Sequence, residues 1–157
     1  MILQNIILFF IGILIAECEG DDTPTQCSDY MLLDDATRHH QHPIQNYGDN
    51  LLYSFPSPDW KGVGWYRLTG GAGNFIPESS PGYGHCGTSL PGYLITSHPT
   101  EVGVTVDGTV CFDATAWIDD ACYYPREIQI TRCQDFYVYY LRRVDEFSMR
   151  YCGTFNL

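Results

Sequence analysis

Apolar and polar residues alternate with a period of two along much of the second half of the chain, the pattern of half-buried β-strands. Val102, Val104 and Val106 alternate with small or polar residues in EVGVTVDGTVCF. Ile128 and Ile130 alternate in the same way in EIQITRC. The segments GWYRLT and DFYVYYL are rich in aromatic and β-branched residues, which also favour strands. The pattern therefore predicts strands in all four segments.

Turn signals interrupt these segments. Asp107-Gly108 is a dipeptide typical of two-residue hairpin loops, so we predict a β-hairpin inside EVGVTVDGTVCF. GGAG after Thr69 predicts a tight turn or bulge where the GWYRLT strand ends. It lacks the Gly-Lys-Ser/Thr ending that cradles nucleotide phosphates.

Helical periodicity is weak. The segment SDYMLLDDATR, with Ser28 as a candidate N-cap, predicts a short helix or turn. Residues 41–64 contain prolines and no sustained periodicity, so we expect mostly loop there. With 15 glycines and 9 prolines in 157 residues, the sequence predicts an all-β fold. We expect a small, disulfide-stapled antiparallel β domain with at most short helical turns.

The first twenty residues contain an apolar run from Ile6 to Ala16, which is too short to span a bilayer but suits a secretory signal peptide. We predict a signal peptide over residues 1–20, with cleavage after Cys18 or Gly20. A buried helix of the mature domain is the alternative. Residues 21–26 are expected to be a disordered lead-in, and residues 27–157 a single extracellular domain.

Cleavage at either position removes Cys18 and leaves an even number of cysteines. An even set in a secreted chain predicts three disulfides, because an oxidising compartment preserves the bonds. No pair has the two-residue spacing of a zinc knuckle. Six cysteines allow fifteen connectivities. The remaining cysteines are Cys27, Cys86, Cys111, Cys122, Cys133 and Cys152.

The chain is acidic, with a formal net charge of −11 and a pI of about 4.5. Such a surface repels phosphate backbones and anionic lipids, so nucleic acids and membranes are not expected as partners. The C-terminal YCGTFNL is too short for a transmembrane or lipid-anchor signal. We therefore expect a secreted, extracellular protein whose mature chain does not insert into a membrane.

Several phrases occur in an order that resembles a known extracellular family. GWYRLTGGAGNFIP, CGTSLPGYLITSHP, RCQDFYVYYL and RYCG follow one another as in the eight-cysteine domain of uromodulin and the pancreatic secretory-granule glycoprotein. The resemblance covers Cys27 to Gly153. It implies a non-enzymatic recognition or interaction module that needs no cofactor and binds an extracellular protein or glycan.

The chain departs from the family at four positions that usually carry cysteine. The resemblance implies that these cysteines are lost as two couples, which leaves no unpaired thiol in an oxidising compartment. The first couple is Gly48 with Phe147 and the second is Ser80 with Ala121.

The retained cysteines are expected to pair as they do in the family. The resemblance implies the bonds Cys27 to Cys133, Cys86 to Cys111 and Cys122 to Cys152. The segment CGTSLPGYLITSHP then has a structural role, because the disulfide of Cys86 links it to the chain that follows. A triad built on Ser97 and His98 is not expected, because no Gly-x-Ser-x-Gly elbow occurs.

Aromatic residues are the feature best suited to recognition, because they offer large contact areas with few rotors. We predict binding residues among the tyrosines that sit beside turn signals. Some members of the resembling family present N-linked glycans to bacterial adhesins. No Asn-x-Ser/Thr occurs in this chain, so that activity is not expected here. The candidate tyrosines are Tyr83, Tyr93, Tyr123 and Tyr124.

A cluster of three histidines suggests an alternative function. His39, His40 and His42 fall within four residues, and closely spaced imidazoles can bind zinc or copper. A solvated loop explains them better, because no ligand with clear spacing completes the set. They are weak metal candidates, and no metal site is assigned. The alternative is a secreted metal- or carboxylate-dependent hydrolase that uses this loop. Acidic doublets such as Asp119-Asp120 are interpreted as solvated turns.

Overall fold

A computed structural model describes residues 23–156, with gaps at residue 53, residue 121 and residues 146–147. The predicted signal peptide over residues 1–20 lies outside the described residues and stays a prediction. No helix in the described part of the chain is both long and apolar enough to cross a membrane.

Within the described residues, seven strands form one curled sheet, and the other regular elements are three-residue 3-10 turns. The all-β fold predicted from the sequence is confirmed. In chain order the strands are β1 (Met31–Leu33), β2 (Gly64–Leu68), β3 (Leu90–Leu94), β4 (Thr105–Phe112), β5 (Arg126–Arg132), β6 (Tyr137–Leu141) and β7 (Met149–Tyr151).

The strands are ordered β1-β2-β6-β5-β4-β3-β7 across the sheet. The four central junctions are antiparallel, whereas β1 pairs parallel to β2 and β7 pairs parallel to β3. Both parallel pairs therefore lie at the edges of the sheet. Parallel neighbours need a long crossover, which the loop after β1 supplies for one pair and the intervening strands β4 to β6 supply for the other.

The N-terminal part contains more extended chain than its sequence suggests. SDYMLLDDATR forms β1 and a 3-10 turn over Ala36–Arg38 instead of one short helix, and Ser28 closes a 3-10 turn over Thr25–Cys27. Gln26 donates hydrogen bonds to Thr105 and Thr131, so the ordered structure includes residues that the sequence placed in the lead-in.

The predicted hairpin at Asp107-Gly108 is wrong. Strand β4 runs straight through both residues and pairs with β5, with Gly108 opposite Ile128. A Cβ at Gly108 would lie 2.9 Å from the Ile130 side chain and 3.0 Å from the Thr96 hydroxyl. The glycine thus lies in close packing between neighbouring side chains and not in a turn.

The core lies against one face of the sheet and combines aliphatic side chains with several large aromatic ones. Tyr66, Tyr139 and Tyr151 are buried, and Trp60 from the long loop between β1 and β2 stacks on Tyr66 with ring centroids 5.0 Å apart. The Tyr66 hydroxyl donates to the Gly62 carbonyl, which leaves its polar end satisfied.

A buried network of charges joins the long loop to the end of the chain. Arg38 bonds to Asp49 and Asp59, and Arg150 bonds to Asp35 at 3.0 Å. Neither arginine has any exposed side-chain surface. Burial and the charge of Arg38 lower the pKa of Arg150 to about 10, so it stays charged at neutral pH.

Three disulfides use all six predicted cysteines, and the bond of Cys27 to Cys133 follows the pairing that the resemblance implies. The other two implied bonds are wrong. Cys86 bonds to Cys152 and Cys111 bonds to Cys122, with Cα atoms 5.5 and 4.7 Å apart.

A turn before β3, together with the position of β7, explains the corrected pairing. Strand β7 lies parallel to β3, with Leu90 opposite Met149, so the last strand is placed beside β3. Cys86 and Gly87 both adopt positive φ, and the Cys86 carbonyl accepts a hydrogen bond from Arg150 of β7 at 3.0 Å. This turn brings Cys86 back against β7, where it bonds to Cys152, the residue that follows the strand. Cys111 lies near the end of β4 and bonds to a cysteine only 11 residues further along, which closes a local loop.

Candidate binding site

An apolar pocket of about 230 Å³ opens beside the Cys111 to Cys122 disulfide. Its walls come from the loop after β4, from the chain leading into β5, and from the facing starts of β3 and β7. We call it the aromatic pocket. It is lined by Leu90, Ala114, Trp117, Ile118, Tyr123, Tyr124 and Ser148.

The loop over residues 113–120, which we call the pocket loop, is shaped by local hydrogen bonds. Asp113 accepts from the backbone N–H and the hydroxyl of Thr115 at 2.8 and 2.6 Å. The backbone N–H of Trp117 donates to the Ala114 carbonyl at 2.9 Å, and Cys122 donates to the Asp120 carboxylate. These turns and the disulfide hold Trp117 at the surface, where its side chain is 58% exposed.

A second loop supports the pocket loop from outside. The Ser80 hydroxyl donates a hydrogen bond to Asp113, and the Tyr83 ring lies edge-on against Trp117 with centroids 5.4 Å apart. Ser80 stands at one of the positions where the resembling family usually has cysteine. Ala121, the position that the resemblance couples to it, lies outside the described residues.

The structure brings three of the four candidate tyrosines together at this pocket. Tyr123 and Tyr124 line it with their rings 4.2 Å apart, and Tyr83 supports Trp117. Tyr93 differs, because it lies within β3 and is only 9% exposed. Its expected position at the surface beside a turn is therefore not observed.

One buried hydroxyl in the pocket lining, that of Ser148, is unpaired within the described part of the chain. Ser148 is 2% exposed, and its Oγ has no hydrogen-bond partner among the described residues. The Ser148 carbonyl accepts from the Leu90 N–H at 2.9 Å and from the Thr88 hydroxyl. The backbone at Ser148 is thus fixed, while its side chain keeps unused hydrogen-bonding capacity.

Carboxylates dominate the electrostatics around the pocket. Burial raises the pKa of Tyr93, and the nearby charges of Asp113 and Asp120 raise it further. Burial opposes ionisation of Asp113, but hydrogen bonds from Ser80 and Thr115 bring its pKa below the ordinary value. Asp119 and Asp120 follow Ile118 directly and are exposed. The pocket therefore combines apolar walls with a negative surrounding.

The three neighbouring histidines do not form a metal centre. The rings of His39 and His40 touch edge-on, with centroids 4.6 Å apart, and Nδ1 of His42 lies 3.0 Å from the Pro43 carbonyl. Across the described part of the chain, no three His, Cys, Asp or Glu side chains gather so that they could hold a metal ion.

His98 lies in a buried polar cluster that the sequence did not suggest. Its Nδ1 lies 2.7 Å from Glu78 and its Nε2 lies 2.8 Å from the Tyr139 hydroxyl. Burial lowers the pKa of His98, although Glu78 acts in the opposite direction. Tyr139 is wholly buried, so this cluster ties Glu78 and His98, which lie on either side of β3 in the sequence, to strand β6.

Trp117, Ile118 and Ser148 line the pocket but were not predicted as site residues. A signal for the first two was present, because a Trp-Ile pair in the acidic, turn-rich segment DATAWIDD interrupts an otherwise solvated loop. Ser148 had no such signal. It reaches the pocket only through the pairing of β7 with β3.

Comparison with known proteins gives a consistent result. The family model of the uromodulin-like, eight-cysteine domain matches residues 66–153. The pancreatic secretory granule membrane major glycoprotein GP2 of Mus musculus is 30% identical over 147 residues, which cover 87% of this chain and 25% of the relative.

Two further relatives agree. Uromodulin of Rattus norvegicus is 37% identical over 90 residues, covering 57% of this chain and 14% of the relative. The Homo sapiens pancreatic glycoprotein GP2 is 26% identical over 143 residues, covering 87% of this chain and 24% of the relative. The chain thus spans about a quarter or less of the length of these relatives.

Proposed function

The chain belongs to the family of uromodulin-like, eight-cysteine domains, and from this premise we propose that it is a secreted, non-enzymatic recognition module. It binds an extracellular protein or glycan partner through the aromatic pocket. The observation that carries the proposal is the convergence of Trp117, Tyr123 and Tyr124 on one concave, exposed apolar surface.

The way the pocket is held supports recognition by contact. Large exposed aromatic side chains are costly to leave in water and are enriched where proteins bind their partners. Here the Cys111 to Cys122 disulfide and the Asp113 turn order them in advance. A partner then loses little free energy to ordering of the loop.

The oxidative setting points the same way. Six cysteines paired in three disulfides fit a protein made in an oxidising compartment. The net charge of −11 disfavours nucleic acids and anionic lipids as partners. An extracellular protein or glycan is the class that remains.

The hydrolase alternative lacks a site. The histidines of its loop gather no metal-ligand set among the described residues, and His98 is buried with Tyr139. A secreted hydrolase is therefore not proposed.

The proposal is tested by probing arrays of extracellular proteins and glycans with the oxidised chain and with the Trp117→Ala variant. Ile95→Ala is the matched control, because Ile95 is a similarly exposed apolar residue outside the pocket lining. We expect partners that bind the oxidised wild type and the Ile95 variant but lose at least about tenfold in affinity to the Trp117 variant.

Equal binding by the wild type and both variants would show that the aromatic pocket is not the binding surface. An absence of any binding, together with hydrolytic turnover that a chelator abolishes, would overturn it in favour of an enzyme.

A further inference from the structure

We propose that the aromatic pocket takes the side chain of a tyrosine from a protein partner, with a lysine or arginine next to that tyrosine. This inference rests on the proposed recognition function and narrows its partner class. It combines three features of the pocket: its volume, the unpaired Ser148 hydroxyl and the exposed carboxylates of the pocket loop.

Volume limits the occupant to about one ring. An apolar cavity of about 150 Å³ holds benzene, and pockets for extended ligands run from about 300 to 1,000 Å³. The aromatic pocket, at about 230 Å³, lies between them. It admits one aromatic side chain and is too small for an oligosaccharide to enter.

Chemistry of the lining selects a ring with a single polar atom. Leu90, Ala114 and Ile118 offer no hydrogen bonds, so a sugar with several hydroxyls would leave most of them unpaired. Ser148 offers one hydroxyl without a partner among the described residues. The hydroxyl oxygen is buried in the structure, so a rotation about χ1 is the step that brings it to an occupant of the pocket. A phenol fits this arrangement, because its apolar ring ends in one O–H.

Charge selects the neighbour of the tyrosine. Asp119 and Asp120 are exposed, and the chain places them between the pocket-lining residues Ile118 and Tyr123. The whole chain is strongly acidic as well. A lysine or arginine beside the tyrosine meets these carboxylates as the ring enters, which raises both affinity and association rate at low salt.

The occupant is tested by NMR titration of the oxidised chain with blocked dipeptides. The probes are N-acetyl-tyrosyl-argininamide, its Phe-Arg and Ala-Arg analogues, and methyl β-D-galactopyranoside as a sugar. The shift of the Trp117 indole N–H, assigned with Trp117→Phe, reports occupancy. We expect the Tyr-Arg probe to bind most tightly, and the Ala-Arg probe and the sugar to leave the indole unshifted.

Ser148 provides the sharper test. We expect the wild type to prefer Tyr-Arg over Phe-Arg by about fivefold, the effect of one added hydrogen bond. The Ser148→Ala variant should bind Phe-Arg as the wild type does and lose the preference for tyrosine. A merely structural Ser148 would leave the ratio of the two affinities unchanged, which would overturn the assignment of tyrosine.

A double variant tests the role of the Asp119 and Asp120 carboxylates. Asp119→Asn combined with Asp120→Asn should weaken Tyr-Arg binding at low salt by about fivefold and bring it close to the affinity of a Tyr-Gln probe. As a control, Glu101→Gln removes an exposed carboxylate elsewhere on the surface. An equal effect of the control would show that only net charge matters and would overturn the assigned basic neighbour.

Two outcomes distinguish an error in the tyrosine assignment from an error in the proposed recognition function. If array partners bind in a Trp117-dependent way but the Tyr-Arg probe does not compete with them, the tyrosine proposal is wrong and the proposed recognition function stands. Specific binding of Tyr-Arg in the pocket, with no macromolecular partner on the array, would overturn the proposed function instead.

Discussion

Arg38 and Asp49 form an ion pair in which neither side chain has any exposed surface. The two guanidinium nitrogens Nη1 and Nη2 lie 2.8 and 2.7 Å from the two carboxylate oxygens of Asp49. Nη2 also lies 2.6 Å from Asp59 Oδ1, and Nη1 donates to the Tyr151 carbonyl at 3.0 Å. One arginine thereby joins the 49–59 loop to the final strand.

Removal of this arginine should be among the most damaging single changes in the domain. Arg38→Met leaves the buried Asp49 carboxylate without its cation, and breaking such a pair costs about 3–5 kcal/mol. We expect a loss of that size in the free energy of unfolding, measured by urea denaturation under oxidising conditions.

The matched control is Arg126→Met. Arg126 pairs with Asp145, whose side chain is 59% exposed, so its loss should cost less than about 1 kcal/mol. Similar stabilities for the Arg38 and Arg126 variants would show that the buried network contributes no more than a surface pair.

Non-reducing peptide mapping checks the corrected disulfides. We expect one cross-linked peptide pair that joins Cys86 to Cys152 and another that joins Cys111 to Cys122. Peptides linking Cys86 to Cys111 would instead restore the pairing implied by the resemblance.

The short disulfide should matter more for binding than for folding. Cys111→Ser with Cys122→Ser frees a loop of 11 residues, and Cys27→Ser with Cys133→Ser frees one of 106. Loop entropy assigns roughly 3 and 4 to 5 kcal/mol to such bonds, as model-dependent guides. The short-loop variant should stay folded, by circular dichroism, and bind its array partners more weakly. Retained affinity in a folded short-loop variant would contradict this role.

Acid should weaken the domain in two stages. Burial lowers the pKa of His98, so below pH 6.5 the unfolded chain takes up a proton that the folded chain does not. Stability therefore falls as pH drops from 6.5 toward the folded pKa. Burial opposes ionisation of Asp59, but Arg38 lowers its pKa below 3.8, so this contribution is lost at still lower pH.

Histidine variants test whether His98 causes the first loss of stability, the one that begins near pH 6.5. His98→Gln should flatten the loss of unfolding free energy between about pH 7 and pH 5. Burial and the neighbouring His40 and His42 also lower the pKa of His39, so His39→Gln should remove a further part. An unchanged slope in the His98 variant would contradict the assignment.

Replacement of Gly153 by any larger residue should destabilise the domain. A Cβ there would clash with the Ala72 carbonyl oxygen, which is backbone and cannot give way. We expect Gly153→Ala to cost roughly 1–3 kcal/mol in the free energy of unfolding. In the control Gly64→Ala, the added Cβ would meet only the end of the flexible Met31 side chain, 2.6 Å away. Equal losses in the two variants would show that the backbone at Ala72 adapts.

Local patterns predicted strands in the segments of β2, β4, β5 and β6 but not at β1, β3 or β7. Strands β3 and β7 are buried along their whole length, so their residues show no alternation between apolar and polar. Ile128 and Ile130 alternate as expected and are buried in β5. The Asp107-Gly108 prediction was wrong because a glycine packed closely between strands looks the same in sequence as a glycine in a turn. That distinction depends on Ile130 and Thr96, which are remote in sequence.

The binding pocket was predictable only in its exposed aromatic half. Tyr123 and Tyr124 lie beside turn signals and do line it, whereas Tyr93 is covered because β3 lies inside the sheet. Ser148 reaches the pocket because β7 pairs with β3, and the bond of Cys86 to Cys152 depends on that pairing together with the turn at Cys86 and Gly87. A parallel pairing between segments so far apart leaves no local trace.

That parallel pairing also constrains the order of events during synthesis. On the proposed secretory route, the Cys86 thiol must wait for Cys152, 66 residues later, and the open edge of β3 stays exposed until then. Premature oxidation with Cys111 would trap a mispaired species. Efficient export of this domain should accordingly depend on a thiol isomerase that keeps Cys86 exchangeable until translation has passed the last strand.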